Sequence, residues 1–354
     1  MKIRVALAGL GGVASRIHLP ACRAISQIEV VGAADPDAAV RTEVSRKFAI
    51  ENTFSDVDSL LAETKPQVLI VGTPPATHFD ICARALRAGV HVFCEKPFMS
   101  DIAQADQIIA LAAEKKLGLR VNTQYRYMSF FADAKRRIAA GEFGPAYSIQ
   151  FWQHMYHPPS KESNWRSKLD RYIIYEFGTH AIDLAGFYFE DLPVAVQAHA
   201  PRFPEFPSDV FVHILLRFPH DRIASFSFNR VSHAPEKYLE TRIDCRDASL
   251  RLSLGGVARF KIEYSRQAGR PVARFGFVKG GQSVVEKNGV PATLLSAPQP
   301  EFDRATAAHL REFLSEIGEH SPSLDAAMRA RDVLRTVFAA YESAQSGETV
   351  WLRR

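Results

Sequence analysis

Ile3-Arg4-Val5-Ala6-Leu7-Ala8-Gly9-Leu10-Gly11-Gly12-Val13-Ala14 is the stretch that decides the fold. An apolar run from Ile3 to Ala8 reads as a buried strand and meets the pattern G-x-G-x-x-(G/A). Gly9 permits a tight turn, Gly11 lets the backbone approach a pyrophosphate, and Ala14 lets the next helix pack closely on the strand. That helix is predicted to run to about Ile25, and its N-terminus offers free N–H groups and a positive dipole end to phosphates. Gly9, Leu10, Gly11, Gly12, Val13 and Ala14 are therefore candidate dinucleotide contacts.

Outward from the glycines, a second strand over 29–34 ends in Asp35. An acid at that distance beyond the motif accepts hydrogen bonds from a ribose 2′-OH. It also repels a 2′-phosphate, which favours NAD over NADP, although Arg16 or Arg41 can accommodate a phosphate. In Asp35-Pro36-Asp37 the same acid can equally cap a helix. Helices are predicted at 37–48, 79–88 and 102–116, with strands at 68–71, 91–94 and 117–121. Short apolar runs alternating with helices predict a parallel sheet buried on both faces. Residues 1–122 thus read as an α/β, doubly wound Rossmann domain that binds NAD(P).

The pattern then changes, and 123–354 reads as an α+β domain with a large, mainly antiparallel open sheet. A crossover helix at about 129–144 leads into it. Strands are predicted at 147–154, 194–199, 210–218, 223–228, 238–245 and 249–254, joined by Pro, Gly, Asp and Asn turns. One long helix, near 176–188, interrupts them. Helices return at 303–319 and 324–346, with a last strand at 349–352. The glycine-rich stretch 269–289 reads as a hairpin or a mobile loop.

Composition sets the outer bounds. The chain has 354 residues, 47% of them hydrophobic and 23% charged, which suits two globular domains. A net charge of +5 without any run of basic residues is a solvated surface, so no nucleic-acid partner is expected. Cys22, Cys82, Cys94 and Cys245 are scattered without zinc spacing, and no metal site is expected. Met1-Lys2-Ile3-Arg4 lacks the apolar core of a signal peptide, and no stretch approaches the roughly 18 apolar residues of a membrane span. The expectation is a cytoplasmic protein with no membrane partner.

Two further segments carry a resemblance: Gly72-Thr73-Pro74-Pro75-Ala76-Thr77-His78, and Ala88-Gly89-Val90-His91-Val92-Phe93-Cys94-Glu95-Lys96-Pro97. With the glycine fingerprint, they resemble the glucose–fructose oxidoreductase / inositol dehydrogenase / rhizopine-catabolism (Gfo/Idh/MocA) family. Trp165-Arg166, residues 178–183 and the ending Ser343-Ala344-x-x-Gly347 with Val350 extend the likeness. The resemblance implies a Rossmann domain followed by a domain whose open sheet carries the contact of a homodimer or homotetramer. It implies that Thr73 and Pro74 lie along the dinucleotide with His78 close by. Glu95 would sit by the nicotinamide ribose, and Gln124 near the nicotinamide end. Arg126 matches a recurrent arginine, and Trp165 and Arg166 would close over the nicotinamide or the substrate.

Hydride transfer from a carbinol carbon needs a held geometry, a group to take the hydroxyl proton and a group to stabilise the developing alkoxide. Lys96 follows a strand that should end at the carboxyl edge of the sheet, and Pro97 keeps it out of a helix. It is the candidate to hydrogen-bond the reacting oxygen. Glu176 and His180, four apart on a helix, can share one face. An imidazole titrates near neutrality, so His180 is the candidate acid/base, with Glu176 orienting it or gripping a substrate hydroxyl. The family usually has Asp at the place of Glu176. A Gly-Gly run usual before this site is replaced by Tyr172-Ile173-Ile174-Tyr175. Tyr125 and Tyr156, with Tyr127, His154 and His157, are polar aromatics suited to a sugar pocket.

These residues predict an NAD(P)-dependent oxidoreductase acting on a secondary hydroxyl of a sugar, polyol or related cyclic compound. Two other uses of the site stay open: a retained NAD that assists glycoside cleavage without net redox, and a dinucleotide-sensing regulator without catalysis.

Overall fold

A computed structural model describes residues 2–162, 165–234, 236–254, 257–265, 270–278, 280–318 and 322–352. The chain forms two compact units. The first comprises Met1–Tyr127 and Phe302–Phe338, the second Met128–Glu301 and Ala339–Arg354. The sequence places a single boundary at 122/123, whereas the structure returns a C-terminal segment to the first unit.

In the first unit, strands β1 (Ile3–Ala8), β2 (Ile28–Ala34), β3 (Thr53–Phe54), β4 (Val68–Val71), β5 (His91–Cys94) and β6 (Leu119–Val121) form one sheet. Their order is β3-β2-β1-β4-β5-β6, all parallel. All four residues of β4 are buried, as a strand covered on both faces requires. Helices α1 (Leu19–Arg23), α2 (Ala38–Phe48), α3 (Val57–Thr64), α4 (His78–Arg87) and α5 (Ile102–Lys115) link the strands. Asp37, Asp56 and Asp101 cap α2, α3 and α5 by accepting backbone N–H groups, and left-handed Ala49, Lys65 and Lys116 end them. The sequence reading omitted β3 and α3. A two-residue strand is too short to show as an apolar run, and α3 is held by its Asp56 cap and by Leu60 and Leu61.

The helix after the glycines also departs from expectation. Residues Ala14–His18 form a π turn, in which Leu19 N–H bonds back to Ala14 O, and α1 follows. Pro20, which has no N–H for a regular ladder, comes just after the widened turn.

Helix α6 (Ser129–Ala139) opens the second unit. Its strands are β7 (Ala146–His154), β8 (Ala195–His199), β9 (Phe211–Phe218), β10 (Arg222–Asn229), β11 (Lys237–Cys245) and β12 (Ser249–Leu254). Then come β13 (Val257–Ser265), β14 (Arg270–Val278), β15 (Gly281–Lys287), β16 (Val290–Ala297) and β17 (Val350–Trp351). A nine-stranded sheet has the order β16-β15-β12-β11-β7-β10-β9-β8-β17. Only β7 and β10 pair in parallel; the other pairings are antiparallel, as the sequence predicts. Burial alternates along β9, so one face of the sheet is covered and the other open. Helix α7 (Thr179–Phe189) also belongs to this unit.

The stretch 269–289 is largely strand. Asn288 and Gly289, both at positive φ, make the two-residue turn between β15 and β16. Gly269 and Lys279 lie outside the described residues.

Helix α8 (Phe302–Glu316) explains the divided first unit. Its Ala307, Leu310, Phe313 and Leu314 are buried in one cluster with Val5, Leu7 and Phe93. Gly118 serves that packing, because a Cβ there would stand 2.8 Å from both Phe313 and Ile317. Helix α9 (Asp325–Ser346) runs from the first unit into the second. Among the described residues, no helix is long and apolar enough to cross a membrane.

Candidate cofactor and substrate sites

In the first unit the candidate cofactor residues collect at the carboxyl ends of the strands, where open α/β sheets bind ligands. Asp35 follows β2, Gly9 follows β1, Gly72 follows β4, Glu95 follows β5 and Asn122 follows β6. Interstrand bonds fix this edge: Gly9 N to Ala34 O at 2.8 Å, Gly72 N to Ala8 O at 2.8 Å, Glu95 N to Val71 O at 2.8 Å and Asn122 N to Cys94 O at 2.7 Å.

Gly9 has φ +87°, and a Cβ there would lie 2.8 Å from Thr73 Cγ2 and 2.9 Å from the Gly72 carbonyl carbon. Only glycine fits. An added Cβ on Gly11 would meet nothing within 4 Å, so its backbone is open to a close ligand. Leu10 and Ala14 are buried against the core. Val13 lies between the last glycine and the π turn.

Asp35 is not the helix cap that the sequence allowed; Asp37 takes that role. Instead Asp35 Oδ2 accepts Leu10 N–H at 2.8 Å and Oδ1 accepts Asp37 N–H at 2.9 Å. The carboxylate braces the glycine loop from the end of β2. Arg41 Nη1 donates to the Asp35 and Pro36 carbonyls, and Arg16 Nε donates to Gly12 O.

Thr73 Oγ1 accepts from the Thr77 hydroxyl at 2.8 Å, and Pro74 O also accepts from that hydroxyl at 2.9 Å. His78 is fully buried, with Nε2 2.9 Å from Thr73 O and Nδ1 3.0 Å from Phe98 O. It ties its own segment to Phe98, the residue that follows the second segment. Burial depresses its pKa despite the two carbonyls. A neutral ring can donate to only one of them at a time.

Glu95 is the most elaborately held of these groups. Its Oε1 accepts Asn122 Nδ2 at 2.7 Å and lies 2.8 Å from His18 Nε2, while Oε2 accepts Lys96 N–H at 3.1 Å. Burial pushes its pKa up, but His18, Asn122 and Lys96 outweigh that and hold the carboxyl below its usual range. Asn122 is set in turn by Thr306 Oγ1 at 3.3 Å and His309 Nδ1 at 3.4 Å, both on α8. Lys96 is half-buried and precedes a cis bond to Pro97. Gln124 and Tyr125 are buried in a short turn, and Arg126 follows them half-buried.

In the second unit, Glu176 is buried and Arg166 Nε donates to its Oε2 at 3.1 Å. The Arg166 guanidinium also lies 4.4 Å from the ring centroid of Trp165. Structure therefore joins three predicted residues here. The single long helix expected from 176 is corrected: residues Ile174–Gly178 are a π turn, and α7 begins at Thr179 with His180 buried in its first turn. A widened turn changes the four-residue alignment argued for Glu176 and His180. Tyr156 stands half-exposed in a surface cluster with His233 and Lys161.

Residues 3–123 match the model of an oxidoreductase family with an NAD-binding Rossmann fold, and residues 131–251 match the GFO/IDH/MocA C-terminal domain. The chain belongs to the Gfo/Idh/MocA family. Its first unit is thus an NAD-binding Rossmann domain, and the open Gly11 backbone and the fixed Glu95 fit such a cofactor. Among Gfo/Idh/MocA relatives, an oxidoreductase of Schizosaccharomyces pombe is 29% identical over 224 residues, 61% of each chain. The chain spans less than two thirds of that relative. D-apiose dehydrogenase of Paraburkholderia graminis is 25% identical over 99% of this chain and 90% of its own. Among solved structures, myo-inositol 2-dehydrogenase of Lactobacillus plantarum superposes with TM-score 0.81 over 100% of both chains at 17% identity, a likeness of fold.

Sequence reasoning missed His18, Asn122 and His309 around Glu95. Asn122 had a signal, since it follows a buried strand at the carboxyl edge as Asp35 does. His309 had none, because the reading gave α8 to the other domain. It also missed the frame beneath Glu176. Asp209 accepts Tyr172 N–H and Ile173 N–H, and Tyr341 OH donates to it at 3.1 Å. Glu162 Oε1 gathers Tyr172 OH at 2.9 Å, His157 Nε2 at 3.1 Å and Arg230 Nη2 at 3.3 Å. The bulky residues standing where glycines were expected are anchors for this frame.

Proposed function

We propose that the protein is an NAD-dependent dehydrogenase acting on a secondary hydroxyl of a sugar, polyol or related cyclic compound. The observation that carries this is Glu95, ionised, held by two donors and by the His18 contact beside Lys96 at the carboxyl edge of the Rossmann sheet. A carboxylate so fixed suits a ribose diol. The nicotinamide, when bound, supplies the hydride acceptor or donor. Glycine-loop N–H groups hold the pyrophosphate, and Asp35 favours an unphosphorylated ribose over a 2′-phosphate. Thr73, Pro74 and Gln124 contact the dinucleotide, with His78 fixing the Thr73 loop.

Lys96 hydrogen-bonds the reacting oxygen and stabilises negative charge there. His180 takes the hydroxyl proton in oxidation and returns it in reduction. Glu176, paired with Arg166, grips a second hydroxyl, while Arg126, Trp165, Tyr125 and Tyr156 serve substrate recognition. The D-apiose dehydrogenase matched over nearly the whole chain supports the substrate class.

We assign the open face of the nine-stranded sheet to a second copy of the chain. A groove of about 510 Å³ lies there, lined by Trp152, Leu215, His199 and His213 among others. Light scattering on the purified protein tests this, and a monomer at all concentrations would refute it.

The activity is tested with a panel of sugars and polyols, following the absorbance band of reduced nicotinamide. Substrate-dependent reduction of NAD is expected. Lys96→Ala and His180→Ala should each lower kcat by roughly 10²–10⁴-fold. Turnover unchanged in both would remove the catalytic assignment.

A further inference from the structure

His18 lies outside the glycine pattern, at the inner end of the π turn, with none of its surface exposed. Its Nε2 stands 2.8 Å from Glu95 Oε1. Two bare lone pairs do not approach so closely in a dry interior, so Nε2 carries the proton and meets Glu95 as a short ion-pair contact off the ideal hydrogen-bond line, while Nδ1 has no hydrogen-bond partner among the described residues. The ring is edge-on to Phe93 of β5, with centroids 6.3 Å apart and planes at 87°. On another side it lies beside Gly72, where an added Cβ would be 3.7 Å from its Cδ2. The imidazole is thus seated at the ends of β4 and β5 with one polar errand, the Glu95 carboxylate.

We propose that His18 is a positioning residue for the dinucleotide, holding Glu95 in the orientation that receives the ribose hydroxyls of the nicotinamide half. This rests on the reading that Glu95 meets that ribose. A glutamate has three rotatable bonds, and a free one would sample several directions. Here Asn122 approaches from β6, Lys96 N–H from the following residue, and His18 from the helix that starts at the glycine loop. The His18 contact, an ion pair rather than a hydrogen bond, differs in kind from the other two. The element whose N-terminus faces the pyrophosphate also fixes the acid for the far ribose. Both halves of one dinucleotide are then registered by one rigid piece of chain. The π turn gives that helix its inward-facing His18 in the residues directly after Ala14.

The test is calorimetric titration of the full-length protein with NAD and, separately, with ADP. ADP carries the adenosine and pyrophosphate but no nicotinamide ribose. His18→Phe keeps a ring and removes the donor. It should weaken NAD roughly 10- to 100-fold, the span of a polar contact to a buried charge, and leave ADP within about threefold of wild type. His18→Gln places an amide donor at similar reach and should recover most of the NAD affinity. Equal losses for NAD and ADP would show a displaced helix and overturn the proposal. Wild-type NAD affinity in His18→Phe, or no recovery in His18→Gln, would overturn it too. If the Phe variant does not fold, His18→Asn, whose amide is too short to reach Glu95, replaces it against His18→Gln with the same expectations. Glu95→Gln separates the two layers. If it binds NAD as wild type does, the Glu95 reading fails and the proposal with it. If Glu95→Gln weakens NAD while His18→Phe does not, the proposal alone fails.

Discussion

Arg120 Nη2 bonds both carboxylate oxygens of Glu316 at 2.6 Å, joining β6 to a helix 196 residues later in the chain. Its Nη1 adds Glu312 Oε1 at 2.9 Å. Arg120 is buried on a strand, so losing it removes the cation that Glu312 and Glu316 of α8 share. Arg120→Met should destabilise the protein by about 2 kcal/mol, the scale of hydrogen bonds to a charged group. Phe313→Ala, in the core beside that pair, should cost about 3–5 kcal/mol. Denaturant unfolding checks both. Two variants within about 0.5 kcal/mol of wild type would show that α8 adds little to the first unit.

This pairing also marks where sequence reading stops. Ile3–Ala8, Val68–Val71 and His91–Cys94 were legible because a doubly covered strand is a continuous apolar run, and the glycines gave the phosphate end. The Glu-Lys-Pro segment pointed at Glu95 and Lys96 by resemblance. Nothing local in residues 302–316 says which sheet they cover, since an amphipathic helix fits either layer. Arg120 looks like a strand outlier until its two glutamates are known. The π turns at 14–18 and 174–178 were missed for a related reason. Periodicity assumes one residue spacing, and a single widened turn leaves the apolar pattern on both sides intact.

Asp35 carries two duties that a substitution can separate. Its bond to Leu10 N–H braces the glycine loop, so Asp35→Ala should cost about 1–2 kcal/mol of stability. Its charge should also reject a 2′-phosphate, so the same variant should bind NAD more weakly and NADP relatively better. Paired titrations with the two nucleotides give the ratio. A ratio unchanged from wild type, alongside the stability loss, would leave Asp35 as a brace alone.

His309 gives a pH dependence with a definite sign. Burial, with Arg120, Arg126 and Arg329, depresses its pKa well below the ordinary 6.5. The unfolded chain therefore binds a proton there at mildly acidic pH and the folded chain does not. The contribution is full above about 6.5 and is lost as pH falls towards the depressed folded value. His309→Gln keeps an amide donor for Asn122 and removes the titration. Its unfolding free energy should fall less steeply below neutrality, by up to about 1.4 kcal/mol per pH unit. Because the stacked Tyr127 ring loses its partner, the slope rather than the absolute stability is the readout. A slope equal to wild type would mean that His309 titrates alike in both states.

Arg166 and Glu176 should behave as a unit, because the Glu176 side chain is buried while Arg166 is only partly so. Removing Arg166 alone takes a cation from a buried carboxylate, the costly way to break such a pair. Arg166→Ala should therefore be damaging, with KM for the substrate rising more than kcat falls, as the proposed grip on a substrate hydroxyl requires. Glu176→Gln leaves a neutral amide that depends less on the Arg166 cation. The double variant should then fall short of the sum of the two single losses, with a coupling of about 1 kcal/mol or more. Glu176→Asp is the sharper probe, since it restores the residue usual in the family. It also withdraws the carboxylate from Arg166 by one methylene. If the extra length serves this chain's own substrate, that variant should lose kcat/KM on the best sugar of the panel while its preference shifts to another. Strictly additive losses in the double variant, with an unaltered preference in Glu176→Asp, would separate the pair from substrate recognition and leave Arg166 as a support for the π turn.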